Sequence, residues 1–183
     1  IVDNTGFPIG EESTLMLAVE SYLKYYKDSQ KIVTNLSTSM GVDIIASKYN
    51  STVERSSVGE INVVEKMKEV GSKIGGEGNG GVILKESHLG RDSLVASALV
   101  LNHLAQSNLP LNKIMEDIPH LMMIKDKITI EKDIDFNKIK LGFQNDNDIT
   151  FIESDGLKIL WEDKWVHIRK SNTEPIIRII SEA

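Results

Sequence analysis

Between residues 31 and 70, short β-type runs alternate with segments whose apolar residues recur at helical spacing, and few folds accommodate that order. Lys31 to Leu36 reads as a strand, Gly41 to Tyr49 as a helix, Ser51 to Glu54 as a strand, and Glu60 to Val70 as a helix with Ile61, Val64 and Met67 on one side. Upstream, Glu11 and Glu12 favour a helix start by complementing the positive end of the helix dipole, and Leu15, Val19, Tyr22, Leu23 and Tyr26 fall on one stripe. Such alternation implies a largely parallel sheet with helices packed on its faces. Asp92 is a good N-cap for a helix reaching about Gln106, and that segment is apolar nearly all round, as expected of a buried layer.

The pattern changes near Pro119, which restricts the residue before it and stops a short helix over Leu111 to Ile118. Beyond Leu121 the chain is β-rich, with strands expected at Met122 to Glu131, Gly156 to Glu162, Trp165 to Arg169 and Ile176 to Ile180, and Ile134 to Leu141 ambiguous. The expected organisation is a three-layer α/β domain over residues 11–119, with a mixed, largely parallel sheet, followed by a small α+β domain with an antiparallel sheet over residues 120–183. Residues 1–10 read as the tail of a preceding domain, because Ile1-Val2-Asp3 already resembles a strand entering the turn Asn4-Thr5-Gly6. Trp161, Trp165 and the Met122-Met123 pair are expected in the core, and His103 and His167 in packing roles.

Composition narrows the function classes. With 21 Lys plus Arg against 27 Asp plus Glu, the net charge of −6 argues against a nucleic-acid partner, which calls for a basic face. The longest strongly apolar stretch, Val95 to Leu101, is far short of the roughly 20 residues a membrane-spanning helix needs. The absence of cysteine rules out disulfides, thiol nucleophiles and cysteine-ligated zinc, and fits a reducing, cytoplasmic compartment. Four scattered histidines leave little for a metal cluster.

Two loops could carry chemistry. Residues 75 to 81 read Gly-Gly-Glu-Gly-Asn-Gly-Gly, a backbone able to adopt positive φ and to approach a ligand closely. Gly76, Gly78 and Gly81 match G-x-G-x-x-G, but a strand-like Val82-Ile83-Leu84 follows instead of a helix, and no acidic residue lies between 93 and 115, so a dinucleotide site is rejected. Nor does the loop end in the Gly-Lys-Ser/Thr of a P-loop. An ionised Glu77 accepts hydrogen bonds and suits two neighbouring sugar hydroxyls, while Asn79 can both donate and accept. The bland alternative is a tight strand-to-strand connection with Glu77 in water. The second loop, Arg169-Lys170-Ser171-Asn172-Thr173-Glu174-Pro175, gathers a guanidinium, two hydroxyls and an amide between two expected strands. Successive N–H groups in such a turn form an anion-binding concavity, and the Arg169 fork can take two phosphate oxygens. Its bland alternative is a polar hairpin turn.

On these segments the chain resembles the α-D-phosphohexomutase superfamily, which includes phosphoglucomutase/phosphomannomutase and phosphoglucosamine mutase. Residues 169 to 175 are similar to the phosphate-binding loop of the family's fourth domain, and residues 76 to 81 to the sugar-binding loop of its third. Asn35-Leu36-Ser37-Thr38-Ser39-Met40-Gly41 and Val58-Gly59-Glu60, followed by Val64-Glu65-Lys66-Met67, resemble further third-domain segments in their expected order. Many members carry Ser where Asn79 stands and His where Gly81 stands, and a Gly-Asn-Gly-Gly version also occurs.

The resemblance implies a TBP-like fourth domain and assigns Glu77, Gly78 and Asn79 to sugar binding and Arg169, Ser171, Asn172 and Thr173 to phosphate binding. It also brings Arg55, Gly59, Glu60 and Arg178 forward as candidates for the cleft. His88 and Arg91 lie near the matched segments, where Arg91 reads equally well as a surface ion-pair partner. The implied parent interconverts hexose 1-phosphate and 6-phosphate, or the hexosamine phosphates, by phosphoryl transfer through a bisphosphorylated intermediate. The implied phosphoserine and Mg²⁺ ligands belong to upstream domains, so this chain is expected to be an inactive C-terminal fragment that packs against missing domains 1 and 2. The rival of another class is a non-catalytic sugar-phosphate binding or interaction module.

Overall fold

The computed structural model describes residues 1–26, 28–129, 134–144, 146, 148–171 and 174–183. Its first compact unit runs from Ile1 to His120 and its second from Leu121 to Ala183. No helix among the described residues is long and apolar enough to cross a membrane.

The first unit is built on strands β1 (Lys31–Asn35), β2 (Thr52–Ser56), β3 (Ile74–Glu77) and β4 (Gly81–Leu84), in the spatial order β2-β1-β3-β4. The pairs β1–β2 and β1–β3 are parallel, and β3–β4 is an antiparallel hairpin. Period-two alternation sends neighbouring side chains to opposite faces, which creates two cores. Ile32, Ile74 and Val82 pack with helices α1 (Glu11–Tyr25), α2 (Gly41–Lys48) and α4 (Ser93–Ser107), while Val33 and Ile83 pack with Val63, Val64 and Met67 of α3 (Glu60–Val70). The central strand β1 is therefore covered on both sides, which accounts for its continuous Ile-Val-Thr-Asn burial. Asp92 caps α4, its side chain accepting from the N–H groups of Leu94 and Val95. The short helix α5 (Leu111–Ile114) and a 3₁₀ turn (Met115–Asp117) complete the unit.

Three expectations about faces are corrected here. Helix α1 does not present a single stripe: every residue from Leu15 to Leu23 is buried, because α1 packs against α2, α4 and β3 at once. In α3 the inward stripe is Val63, Val64 and Met67, and Ile61 is 77% exposed, since it lies about 200° around the helix from Val63. Helix α4 is not a buried layer; only Ala96, Val100 and His103 are buried, and Leu94 and Leu101 are 79% and 64% exposed. At the N-terminus, Val2 and Pro8 form an isolated bridge instead of a strand, closed by the Asp3 carboxylate, which accepts from the Thr5 and Phe7 N–H groups.

The second unit is an antiparallel sheet in the order β5-β9-β8-β7-β6, formed by β5 (Met123–Thr129), β6 (Thr150–Ile152), β7 (Leu157–Leu160), β8 (Trp165–Lys170) and β9 (Ile176–Glu182). The ambiguous segment is helix α6 (Phe136–Gly142), entered through the Asp135 carboxylate, which accepts from Asn137 N–H. Leu157, Ile159 and Ile177 are buried on one face of this sheet, and Trp165, Lys158, His167 and Glu182 are buried on the other. There Lys158 lies 3.9 Å over the Trp165 ring, and the Trp165 indole N–H donates to Glu182 at 2.7 Å. Met122, expected in the core, is exposed, although its backbone exchanges two hydrogen bonds with Ala183. The end of the expected strand at Glu131 falls outside the described residues.

Candidate functional site

In open α/β sheets ligands bind outside the carboxyl ends of the parallel strands. Here those ends carry Asn35 on β1, Ser56 on β2 and Glu77 on β3. The glycine-rich segment is the β3–β4 hairpin, as its bland alternative held, yet Glu77 is not solvated: it is 5% exposed. Its Oε1 accepts from the Asn35 side-chain amide at 2.8 Å and from Gly59 N–H at 3.1 Å, and its Oε2 lies 3.5 Å from an Arg91 guanidinium nitrogen. A buried ionised carboxylate requires such partners. Gly59 supplies its N–H because it enters α3 with φ 126°, a conformation side-chain-bearing residues rarely adopt.

Close approach, more than unusual dihedrals, explains the glycines. Within residues 75 to 81 only Gly80 has positive φ. A Cβ on Gly75 would stand 2.5 Å from the Val33 carbonyl, and one on Gly76 would collide with the Gly81 carbonyl and meet Leu15 Cδ1 at 2.6 Å. Gly78 has the Glu12 carboxylate where a side chain would begin, and its N–H donates to Thr38 Oγ1 at 3.0 Å. Glu12 also accepts from Ser39 N–H at 3.1 Å, tying the first turn of α1 to the β1–α2 loop. Asn79 lies at the tip, exposed, its Oδ1 accepting from Gly81 N–H at 3.2 Å.

The loop after β1 is held from below by Arg55. Its guanidinium donates to Thr34 Oγ1 at 2.7 Å and to the carbonyls of Asn35, Thr38 and Ser39, and it is paired with Asp43. Arg55 thus helps to shape the loop after β1. Glu60 binds Arg91 twice, with Oε1 accepting the Arg91 backbone N–H at 3.1 Å and Oε2 lying 2.8 Å from Arg91 Nε. The hydrogen bond from the Arg91 side chain, then that from its backbone, holds the Glu60 carboxyl below its ordinary range. His88 sits to one side, 3.6 Å from Asp92.

In the second unit Arg169 on β8 and Arg178 on β9 are direct cross-strand partners. Like charges placed opposite one another on one sheet face are unfavourable unless something anionic lies with them. Arg178 is paired with Glu174 at 3.1 Å, whereas the buried Nε of Arg169 has no hydrogen-bond partner among the described residues. Ser171 donates its backbone N–H to Ile176, closing the hairpin. Asn172 and Thr173, the remaining two phosphate-loop residues, lie outside the described residues. Among the described residues no group of three His, Asp or Glu side chains stands close enough together to hold a metal ion.

Asn35, Thr38 and Glu12 complete the corner around Glu77 together with Arg91, and sequence reasoning named only Arg91 of the four, as a residue that could line the cleft. Asn35 and Thr38 fell inside a matched segment, but the 42-residue separation of Asn35 from Glu77 hid their pairing.

Comparison with known proteins agrees with this layout. The family model for phosphoglucomutase/phosphomannomutase alpha/beta/alpha domain III matches residues 11–122, and that for the C-terminal domain matches residues 120–183. The chain is 33% identical over 183 residues to a phosphoglucomutase/phosphomannomutase of Thermococcus kodakarensis, covering 100% of this chain and 40% of that protein. It is 32% identical over 177 residues to a phosphoglucosamine/phosphogalactosamine mutase of Sulfurisphaera tokodaii, covering 95% of this chain and 39% of that one. A crystal structure of a phosphoglucomutase/phosphomannomutase family protein from Burkholderia thailandensis matches with a TM-score of 0.81 at 20% identity, over 100% of this chain and 39% of that chain. The chain thus spans about 40% of the length of the curated relatives it matches.

Proposed function

This chain belongs to the phosphoglucomutase/phosphomannomutase family, and we propose that it is the substrate-holding, C-terminal part of a phosphohexomutase. The parent interconverts the 1-phosphate and 6-phosphate of a hexose or hexosamine by phosphoryl transfer through a bisphosphorylated intermediate. Residues 11–119 act as the sugar-binding domain, residues 120–183 as the phosphate-binding domain, and residues 1–10 as the end of the domain before them. A phosphoserine and a Mg²⁺ ion serving the transfer itself come from residues outside this chain, in a cytoplasmic parent whose first two domains pack against it.

The observation that carries this reading is the clamped, buried Glu77 carboxylate at the carboxyl end of β3. With Oε1 committed to Asn35 and Gly59, Oε2 is the atom available to a sugar hydroxyl, and Asn79 and the backbone of Gly78 lie beside it on the same hairpin. In the second unit the orphaned Arg169 Nε and the Arg169–Arg178 pairing favour a dianionic phosphate as the missing partner. Binding away from the reacting atoms supplies positioning, a large part of what a protein contributes to phosphoryl transfer.

The test is calorimetric titration of the 183-residue chain with glucose 6-phosphate and glucosamine 6-phosphate. Binding is expected, to be weakened by Glu77→Gln and by Arg169→Ala, with no mutase turnover by this chain alone. Equal binding by wild type and both variants would overturn the reading. In the full-length parent, Arg169→Ala is expected to raise KM and lower kcat/KM. Relatives named for glucose, mannose and glucosamine phosphates leave the preferred sugar to that comparison of ligands.

A further inference from the structure

Gly81 opens β4 without positive φ, so its backbone does not demand glycine; the space around it does. A Cβ there would collide with Arg91 Cδ and stand 3.0 Å from Arg91 Cγ and 3.1 Å from Asn79 Oδ1. The methylene stem of Arg91 therefore crosses the volume that any other residue at position 81 would fill. This brings its guanidinium between two carboxylates, with Nε 2.8 Å from Glu60 Oε2 and NH1 3.5 Å from Glu77 Oε2. NH2 has no hydrogen-bond partner among the described residues, the side chain is 43% exposed, and it lines a hollow of about 410 Å³ together with Asn79, Gly80 and Ser93.

We propose that Arg91 is a positioning residue for sugar-phosphate binding: it fixes the Oε2 edge of Glu77 and turns its own free edge to the ligand. The inference rests on the sugar-binding reading given above. Because Oε1 is committed to Asn35 and Gly59, the direction of the carboxylate's remaining accepting capacity is set by whatever holds Oε2, and that group is Arg91. Glu60 aims the guanidinium, since the shorter contact and the backbone hydrogen bond both go to it. A planar fork can touch both carboxylates and still present N–H groups outward, which a lysine ammonium cannot do in one plane. Position 81, position 91 and Glu60 thus form one device, assembled from β4, the loop before α4 and the start of α3.

The experiment is titration of the 183-residue chain with glucose 6-phosphate and glucosamine 6-phosphate, comparing wild type, Arg91→Gln, Arg91→Lys, Gly81→Ala, Glu77→Gln and the Arg91→Gln/Glu77→Gln double variant. Arg91→Gln removes the charge, and Gly81→Ala keeps it but displaces the stem; each is expected to weaken binding about tenfold. Arg91→Lys recovers less than half of that loss, and the double variant loses clearly less than the two single losses combined, the mark of two residues that act partly through one another. A merely structural Arg91 would not give that non-additivity. If Gly81→Ala does not fold, Arg91→Gln and the cycle carry the test. Binding by Arg91→Gln within about twofold of wild type, or losses that add in the cycle, overturns the inference alone. A wild-type chain that takes up neither sugar phosphate overturns the sugar reading and this inference with it.

Discussion

The Asn35 side-chain amide donates to Glu77 Oε1 at 2.8 Å, joining the carboxyl ends of two adjacent parallel strands. The same side chain accepts from Ser37 N–H at 2.8 Å and from the Thr38 hydroxyl at 3.1 Å, so one residue holds both the hairpin and the loop. Asn35→Leu keeps the size and deletes all three bonds. Unsatisfied buried groups cost about 1–3 kcal/mol each, so urea unfolding is expected to show a loss in that range or above, with weaker sugar-phosphate binding. A stability equal to wild type would count against the clamp.

Gly76→Ala places a methyl against the Gly81 carbonyl and Leu15, both fixed by the sheet and by the buried face of α1. Overpacking of this kind costs about 1–3 kcal/mol. Gly142→Ala, at the end of α6 with nothing within 4 Å, is the control, and it is expected to be neutral or slightly stabilising. Thermal melts of the two variants should therefore move apart.

Arg55→Lys tests whether the β1–α2 loop depends on a fork. The guanidinium serves three carbonyls, a hydroxyl and Asp43, and a single ammonium cannot reach them all. A loss of about 2 kcal/mol in denaturant unfolding is expected, accompanied by faster amide exchange at Ser37 to Ser39. Exchange rates unchanged in that loop would remove Arg55 from its scaffold.

His167 gives the second unit a pH dependence. Burial pushes its imidazole below the ordinary value of 6.5, although the hydrogen bond to the Asp155 carbonyl works in the opposite direction. The unfolded chain binds the proton more readily than the folded one, so stability is full above about pH 6.5 and falls as pH drops through that value toward the lower folded one. Denaturation of wild type and His167→Gln from about pH 8 to about pH 5 should show this slope in wild type and its loss in the variant. Identical slopes would exclude His167 as its source.

Much of this architecture was legible in the residues. The strand and helix alternation, the Asp92 cap, the change of pattern at Pro119 and the two loops all rest on local rules of period, capping and turn chemistry, which do not depend on distant contacts. What escaped depends on them. The one-sided stripe read on α1 failed because three elements pack on it, and α4 looked buried from its composition although only Ala96, Val100 and His103 face inward. Strand β6 was missed because it is a three-residue edge strand with no alternation to read. Nothing near Arg91 in sequence indicates that it lies across Gly81, and the clamp on Glu77 was not legible because Asn35 and Gly59 are 42 and 18 residues away.

Each sheet draws all its strands from one side of the His120–Leu121 junction. A crossover there severs no ladder, so a genetic exchange could graft a relative's half onto this one without breaking either sheet. On the proposed reading, the grip on the carbohydrate ring and the grip on its charged group can therefore be inherited separately, and natural recombination at this joint is a route by which new pairings of the two could arise.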